Sequence, residues 1–255
     1  MNTFLRGALA AALVVMGAAA PSAAQEQHAH VVATNSWTAA FAAAAGAVDI
    51  TTIAPSDLRH PAEYELKPSD VAALKSADLV VYTGFELMAK KLADAAGTQD
   101  IRLLQIGADY SLPTMRSSIL AIADVLGTTP KARESVAALE KFVSSWKAEL
   151  AAAGLGGASV VVHVFQQPLV AELGFSVAGM FGPGPLEAAQ IARLSPTGAR
   201  FIVDNWHNEA GGPLRETMKA SRYVSLINFP GPDGTQGLLD VLADNRARLK
   251  AAAGY

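Results

Sequence analysis

A loop with the sequence Ile53-Ala-Pro-Ser-Asp-Leu-Arg-His-Pro-Ala-Glu-Tyr-Glu-Leu-Lys-Pro-Ser-Asp70 follows an apolar, strand-like run and precedes a helical one. Its three prolines stiffen it, and Pro68 suits the first turn of the following helix. In α/β proteins, ligands bind in loops at the carboxyl ends of strands. The loop carries His60, one of only five histidines in the chain, and therefore predicts a binding site that is largely pre-formed.

Strand-like and helix-like segments alternate on both sides of this loop. We predict strands at 30–34, 48–54, 79–82 and 101–106, and then at 159–164, 176–180, 200–204 and 223–228. Short helical stretches separate most of them. This alternation is typical of parallel βαβ units.

A longer helix is predicted between the two groups of strands, over residues 131–153. Its apolar residues follow a helical period: Val136, Leu139, Phe142, Val143, Trp146 and Leu150. Thr129-Pro130 and Gly154 are suitable start and stop signals. We predict an α/β fold in which two four-stranded parallel-sheet lobes (25–128 and 155–255) are joined by a long rigid interdomain helix (129–154). The alternative is one larger sheet with an ordinary surface helix.

Residues 1–24 are predicted to be a signal peptide. Arg6 precedes an apolar run over 7–20, and small residues precede Gln25. The run is too short for a comfortable membrane span. We expect cleavage near Ala24 and a periplasmic protein without stable membrane insertion; an uncleaved membrane anchor is the alternative.

Composition excludes several classes of function. The chain has no cysteine, so thiolate metal sites and thiol chemistry are absent. The formal net charge of −3 and the lack of a basic patch argue against nucleic acid as a partner. No phosphate-binding loop, nucleophile elbow or HExxH motif is present, which argues against an enzyme.

Three histidines, His60, His163 and His207, each lie near the end of a predicted strand. Three neutral imidazoles with one further ligand can form a tetrahedral zinc site. We predict that they converge across a cleft, within about 4–5 Å of one point. Each could instead be a hydrogen-bonded structural histidine.

Other residues are candidates for supporting roles at such a site. Asp233 is a possible additional ligand, and Asp204 a possible carboxylate behind the metal ligands. Trp37, Tyr64 and Trp206 are candidates for lining the cleft.

Several segments, in order along the chain, resemble one known family. They are Val31-Val-Ala-Thr-Asn-Ser-Trp37, the His60–Asp70 loop, Ala77-Asp-Leu-Val-Val-Tyr-Thr-Gly84, Val162-His-Val-Phe165 and Val224-Ser-Leu-Ile-Asn-Phe-Pro-Gly-Pro-Asp-Gly234. The chain resembles the periplasmic metal-binding proteins of zinc and manganese uptake transporters, the cluster A-I solute-binding proteins. The resemblance implies two lobes joined by a rigid helix.

The family's metal ligands are only partly present. Its first histidine, two residues before the Tyr, is replaced by Ala62, and the segment Ala108–Pro113 lacks the second. His163 matches the third, and Asn228 stands where the family usually has Asp. The resemblance therefore implies a divergent member with an altered ligand set, in which Asn228 is a further possible ligand.

From these features we expect a periplasmic solute-binding protein, not an enzyme. It would capture a divalent metal between its lobes and deliver it to a cognate ABC permease in the inner membrane. Zn²⁺ is favoured over Mn²⁺ because the candidate ligands are histidines. Two alternatives stay open: a degenerate family member that binds a metal chelate or an organic solute, and a periplasmic accessory protein that acts through protein contacts.

Overall fold

Two separate four-stranded parallel sheets form the framework of the molecule. The computed structural model describes residues 28–92, 94 and 101–254; the predicted signal peptide lies outside them. The strands are β1 (His30–Ala33), β2 (Asp49–Thr52), β3 (Leu79–Tyr82), β4 (Arg102–Gln105), β5 (Ser159–His163), β6 (Ser176–Phe181), β7 (Phe201–Asn205) and β8 (Arg222–Leu226). Their orders, β2-β1-β3-β4 and β6-β5-β7-β8, confirm the predicted pair of parallel sheets.

Helices follow most of the strands. They are α1 (Ser36–Ala44), α2 (Pro68–Lys75), α3 (Leu112–Leu126), α4 (Thr129–Ala152), α5 (Gln167–Glu172), α6 (Ala188–Leu194), α7 (Gly212–Thr217) and α8 (Leu238–Ala253). Short 3₁₀ helices occur at Pro61–Glu63, Leu87–Lys91, Ser195–Thr197 and Trp206–Asn208. Where the sequence predicts a helix over 86–95, the structure has the 3₁₀ helix Leu87–Lys91, and part of that prediction lies outside the described residues.

The sequence-based prediction missed α3. Ser111 caps this helix by accepting a hydrogen bond from the Thr114 amide, Pro113 lies in its first turn, and Gly127 ends it with φ 71°. Its buried residues Met115 and Ile119 follow the helical period. These signals could have identified the helix in a segment that the prediction left unassigned.

The long helix α4 contacts both halves of the molecule. It buries five of the six predicted apolar residues, and Trp146 is completely buried. The core around it is continuous across the lobes, because Phe41 of the first lobe and Phe201 of the second belong to the same buried cluster. At its carboxyl end, Glu149 forms ion pairs with Arg246 and Lys250 of α8.

None of the helices among the described residues is both long and apolar enough to span a membrane.

The segment that leaves β8 packs directly against the first lobe. The Ser36 hydroxyl donates to the Pro230 carbonyl at 2.7 Å, and the Tyr110 hydroxyl donates to the Asn228 carbonyl at 2.8 Å. Gly231, with φ 137°, approaches so closely that a Cβ atom there would lie 2.1 Å from the Ser56 carbonyl oxygen. The two lobes therefore meet backbone to backbone at this glycine.

This contact predicts different effects for two nearby glycines. Gly234 also has a positive φ, 77°, but a Cβ there would meet nothing within 4 Å. Gly234→Ala should lower the free energy of unfolding by about 1–2 kcal/mol through backbone strain alone. Gly231→Ala should lower it by roughly 1–3 kcal/mol more, because the lobes must also move apart. Urea denaturation of the two variants measures the difference, and equal losses would contradict the proposed close contact.

Candidate functional site

A cavity of about 380 Å³ opens between the lobes. Every part of its lining comes from the last residue of a strand or from the segment that follows a strand. The cavity therefore lies at the carboxyl ends of both sheets, where α/β proteins bind ligands. The lining residues are Trp37, Arg59, His60, Pro61, Ala62, Glu63, Phe85, Ala108, Asp109, Val164, Phe165, Pro168, Asn205, His207, Asn208, Asn228 and Phe229.

Aromatic side chains form much of the cavity wall. Phe229 lies at its centre, with its ring centroid 5.2 Å from that of Trp37, 5.0 Å from that of His207 and 6.4 Å from that of Phe85. Phe85 and Phe165 are about half exposed, one on each lobe. These walls favour a ligand with apolar or planar surface.

Arg59 places a positive charge at the cavity. Its guanidinium donates to the Glu209 carboxylate at 2.9 Å and lies 4.9 Å above the ring of Trp206. The contact joins the two lobes, since Arg59 follows β2 and Glu209 follows β7. About half of the side chain remains exposed, so some guanidinium donors are accessible to a ligand.

His207 lies in the cavity wall as a neutral ring. It is 4 % exposed, and its Nδ1 accepts a hydrogen bond from the Asn228 backbone amide at 3.3 Å. Burial, with the nearby charges of Arg59, His60 and Arg248, lowers its pKa to about 3. Because Nδ1 accepts, the proton of the neutral ring lies on Nε2, which can donate to a ligand in the cavity.

His163 ends β5 as predicted, but its side chain lies outside the cavity. It is fully buried, with its ring against Phe165 and Phe181 at 5.0 and 5.5 Å between centroids. A Cβ atom at Gly182 would lie 2.3 Å from its Nε2, so the Gly182 backbone covers that side of the ring. Burial lowers the pKa of His163, and the Asp204 carboxylate opposes that shift.

The alternation of side chains along β5 explains this position. Val161 and His163 share one face of the strand, and Val161 packs with Ile202 and with Leu214 of α7. The other face, with Val160 and Val162, packs in the core that continues across the lobes. The sequence places the histidine at the correct strand end but does not reveal which face it occupies.

The structure thus brings two of the three predicted histidines to one cavity. His60, exposed at the start of the Pro61–Glu63 turn, lines it together with His207, whereas His163 does not. Among the described residues, no three His, Asp or Glu side chains are grouped so that they could hold a metal ion. The expected convergence of three imidazoles is therefore not present in this arrangement.

Hydrogen bonding gives a second argument about these histidines. A histidine that binds a metal through one ring nitrogen normally donates the N–H of the other to a carboxylate or carbonyl. In His163 and His207 the Nδ1 atom instead accepts a backbone N–H, from Phe165 and Asn228 respectively. Their Nε2 atoms then carry protons and have no free lone pair for a metal.

Of the other predicted site residues, Trp37 and Asn228 line the cavity. Tyr64 does not; its hydroxyl donates to Asp70 at 3.0 Å, and its ring packs in the first lobe. Trp206 lies beneath Arg59 rather than in the lining. Asp233 is an exposed residue that pairs with Arg248.

Asp204 was expected to lie behind the metal ligands, but its carboxylate is hydrogen-bonded to its own loop and to Tyr223. Its fully buried carboxylate accepts hydrogen bonds from the amides of Asn205, Ala210 and Gly211 and from the Tyr223 hydroxyl. It therefore fixes the loop that presents His207.

Sequence reasoning missed Gln166, which organises the base of the cavity. Its buried Nε2 contacts three oxygens: Asn205 Oδ1 at 3.1 Å, the Leu226 carbonyl at 3.2 Å and, at a shorter distance, Asn228 Oδ1. A single glutamine directly before a helix belongs to no recognisable sequence motif, so only the folded arrangement reveals its role.

The comparisons with known proteins agree with this architecture. The family model described as zinc-uptake complex component A, periplasmic (ZnuA), matches residues 31–118, within the first lobe. FpvC of Pseudomonas aeruginosa, solved in complex with Mn²⁺, has a TM-score of 0.70 at 15% identity, covering 89% of this chain and 99% of that one. The laminin-binding protein Lbp of Streptococcus pyogenes has a TM-score of 0.67 at 17% identity, covering 89% of this chain and 99% of that one.

The resemblance to the cluster A-I solute-binding proteins is confirmed. A Mn-bound periplasmic metal-binding protein from Candidatus Liberibacter asiaticus shares the fold as well, with a TM-score of 0.66 at 14% identity over 88% of this chain and 99% of that one. No curated protein matches the chain significantly. The family model thus matches the first lobe, and these neighbours share the two-lobed fold of the whole described chain.

The low pKa of His207 predicts that acid destabilises the folded protein. An unfolded histidine takes up a proton below about pH 6.5, whereas folded His207 stays neutral until about pH 3. Its contribution to stability is therefore complete above pH 6.5 and is lost as the pH falls. Between pH 7 and pH 5 the loss should be roughly 2 kcal/mol.

Urea denaturation at the two pH values tests this. His207→Gln should reduce the loss between pH 7 and pH 5, while Ala108→Ser, a mild change in the same lining, should leave it as in the unaltered protein. An unchanged pH dependence in His207→Gln would contradict the assignment.

Proposed function

We propose that the chain is the solute-binding component of an ABC uptake system for a divalent metal, zinc in preference to manganese. It is exported to the periplasm after cleavage near Ala24, and it delivers its cargo to a cognate permease in the inner membrane. No catalytic role is proposed.

One observation carries this proposal. A single cavity at the carboxyl ends of both sheets combines His60 of the first lobe with His207 and Asn228 of the second. Ligand capture between two lobes requires groups from both of them at one place. The cavity meets this requirement in a chain that has the fold of metal-binding solute-binding proteins.

Direct ligation by His60, His163 and His207 stays a prediction about how the metal is held. It would require His163 to turn out from beneath Gly182, and the protons of His163 and His207 to move from Nε2 to Nδ1. Binding of the metal as part of a chelate requires neither change, and the aromatic walls of the cavity favour it.

The transport function can be tested in cells without assuming the form of the cargo. A strain that lacks the gene should contain less zinc than its parent in zinc-limited medium, as measured by mass spectrometry of washed cells. The full chain should restore the zinc content. A Phe229→Asp variant should not, because a buried charge at the centre of the cavity wall disrupts the cavity.

Asn208→Gln, a mild change in the same lining, is the matched control and should restore zinc. Amounts of each variant in the periplasm are compared by immunoblot. Unchanged zinc and manganese contents in the deletion strain would contradict the proposed function.

A further inference from the structure

The backbone carbonyl of Leu226 determines how three side-chain amides are oriented, those of Gln166, Asn205 and Asn228. The carbonyl of Leu226 can only accept a hydrogen bond, so the Gln166 atom that lies 3.2 Å from it must be the amide nitrogen. Asn205 and Asn228 must then point their oxygens toward the same nitrogen. The opposite orientation of any of the three amides would place like atoms against each other.

This arrangement directs two amide nitrogens away from Gln166. Asn205 and Asn228 both line the cavity, and neither Nδ2 atom has a hydrogen-bond partner among the described residues. Each amide nitrogen therefore offers free N–H donors to the cavity.

Two further donors complete the set. His207 has a proton on Nε2, because its Nδ1 accepts from the Asn228 amide. Arg59 contributes a guanidinium that is about half exposed. The cavity thus combines two amides, an imidazole N–H and a cation, all of which donate.

Two acidic residues, Glu63 and Asp109, also line the cavity. Asp109 is engaged with Ser111 and Thr114 at the start of α3. Glu63 is exposed to solvent on the first lobe. Glu209 lies outside the lining; it forms an ion pair with Arg59 and accepts a hydrogen bond from the Ser225 hydroxyl.

A cluster of donors is the reverse of what a bare metal cation requires. Carboxylate oxygens accept several hydrogen bonds and pair well with a guanidinium. The surrounding rings of Trp37, Phe85, Phe165 and Phe229 suit a planar molecule. The volume of about 380 Å³ also falls in the range of small-molecule sites.

We infer that the cavity accepts its metal as the complex of a small, planar chelator that bears carboxylates, not as the bare ion. The carboxylates contact Asn205, Asn228, His207 and Arg59, and the planar part lies among the aromatic rings. The inference rests on the proposed transport function and specifies the chemical class of its cargo.

Calorimetry with three probes tests this inference. The probes are Zn²⁺ alone, pyridine-2,6-dicarboxylate alone and the anionic 1:2 zinc complex of that chelator. The protein begins at Gln25 and carries His28→Ala, which removes an exposed histidine near the amino terminus. We expect the complex to bind one to one, at least about tenfold more tightly than either component.

Asn228→Asp is the decisive variant. Aspartate can still accept from Gln166, but it replaces the free N–H donors by a charged oxygen. It should weaken binding of the complex about 10- to 100-fold and strengthen binding of Zn²⁺ alone. Asn208→Asp adds the same charge to the same lining outside the amide set, and its effect should be clearly smaller.

The remaining outcomes separate this inference from the proposed function. If Zn²⁺ alone binds more tightly than its complex, and a His60→Ala, His163→Ala double variant loses that binding, the inference is overturned. The proposed metal transport then stays intact. Equal binding of the chelator with and without zinc would overturn both, since the cavity would then select an organic anion. Binding of none of the three probes would overturn the inference, and the zinc content of the deletion strain would decide the function separately.

Discussion

The segment from Leu226 to Gly231 holds the site together. Alternate carbonyls along it accept hydrogen bonds from three different elements: Leu226 from Gln166, Asn228 from Tyr110 and Pro230 from Ser36. The backbone N–H and carbonyl of Ile227, which lies between Leu226 and Asn228, both form hydrogen bonds with the side-chain amide of Asn245 in α8. Few of its backbone groups remain free to move, so this segment fixes both the distance between the lobes and the direction of its own side chains.

Those constraints determine the chemistry of the cavity. The backbone N–H of Asn228 sets the tautomer of His207, and the backbone carbonyl of Asn228 contacts the first lobe through Tyr110. The side-chain amide of Asn228 is oriented by Gln166. Phe229, the next residue, packs between Trp37 and His207. A single dipeptide thus connects lobe packing to the hydrogen-bonding polarity of the site, and a substitution there affects both.

The sequence predicts the fold much better than it predicts the site. Apolar strand-like runs and helical patterns depend on local burial, and for this reason the eight predicted strands and α4 agree with the structure. The helix α3 carries local start and stop signals of the same kind in Ser111, Pro113 and Gly127. Site geometry depends on contacts between distant segments. The position of His163 at a strand end was predictable, but its burial beneath Gly182 depends on the pairing of β5 with β6.

The position of Asn228 shows how a small chemical change can alter a site within an unchanged scaffold. The resemblance implies Asp at this position, and the two side chains have nearly the same shape. Either one can accept a hydrogen bond from Gln166, so the framework around it needs no rearrangement. The difference lies at the atom that faces the cavity, where a carboxylate oxygen attracts a cation and an amide nitrogen donates to an anion. At position 62, where the resemblance implies a histidine ligand, the cavity wall has alanine. Asn228 and Ala62 both lack the metal-ligating groups that the resemblance implies at their positions, and the chelate proposed above requires neither group.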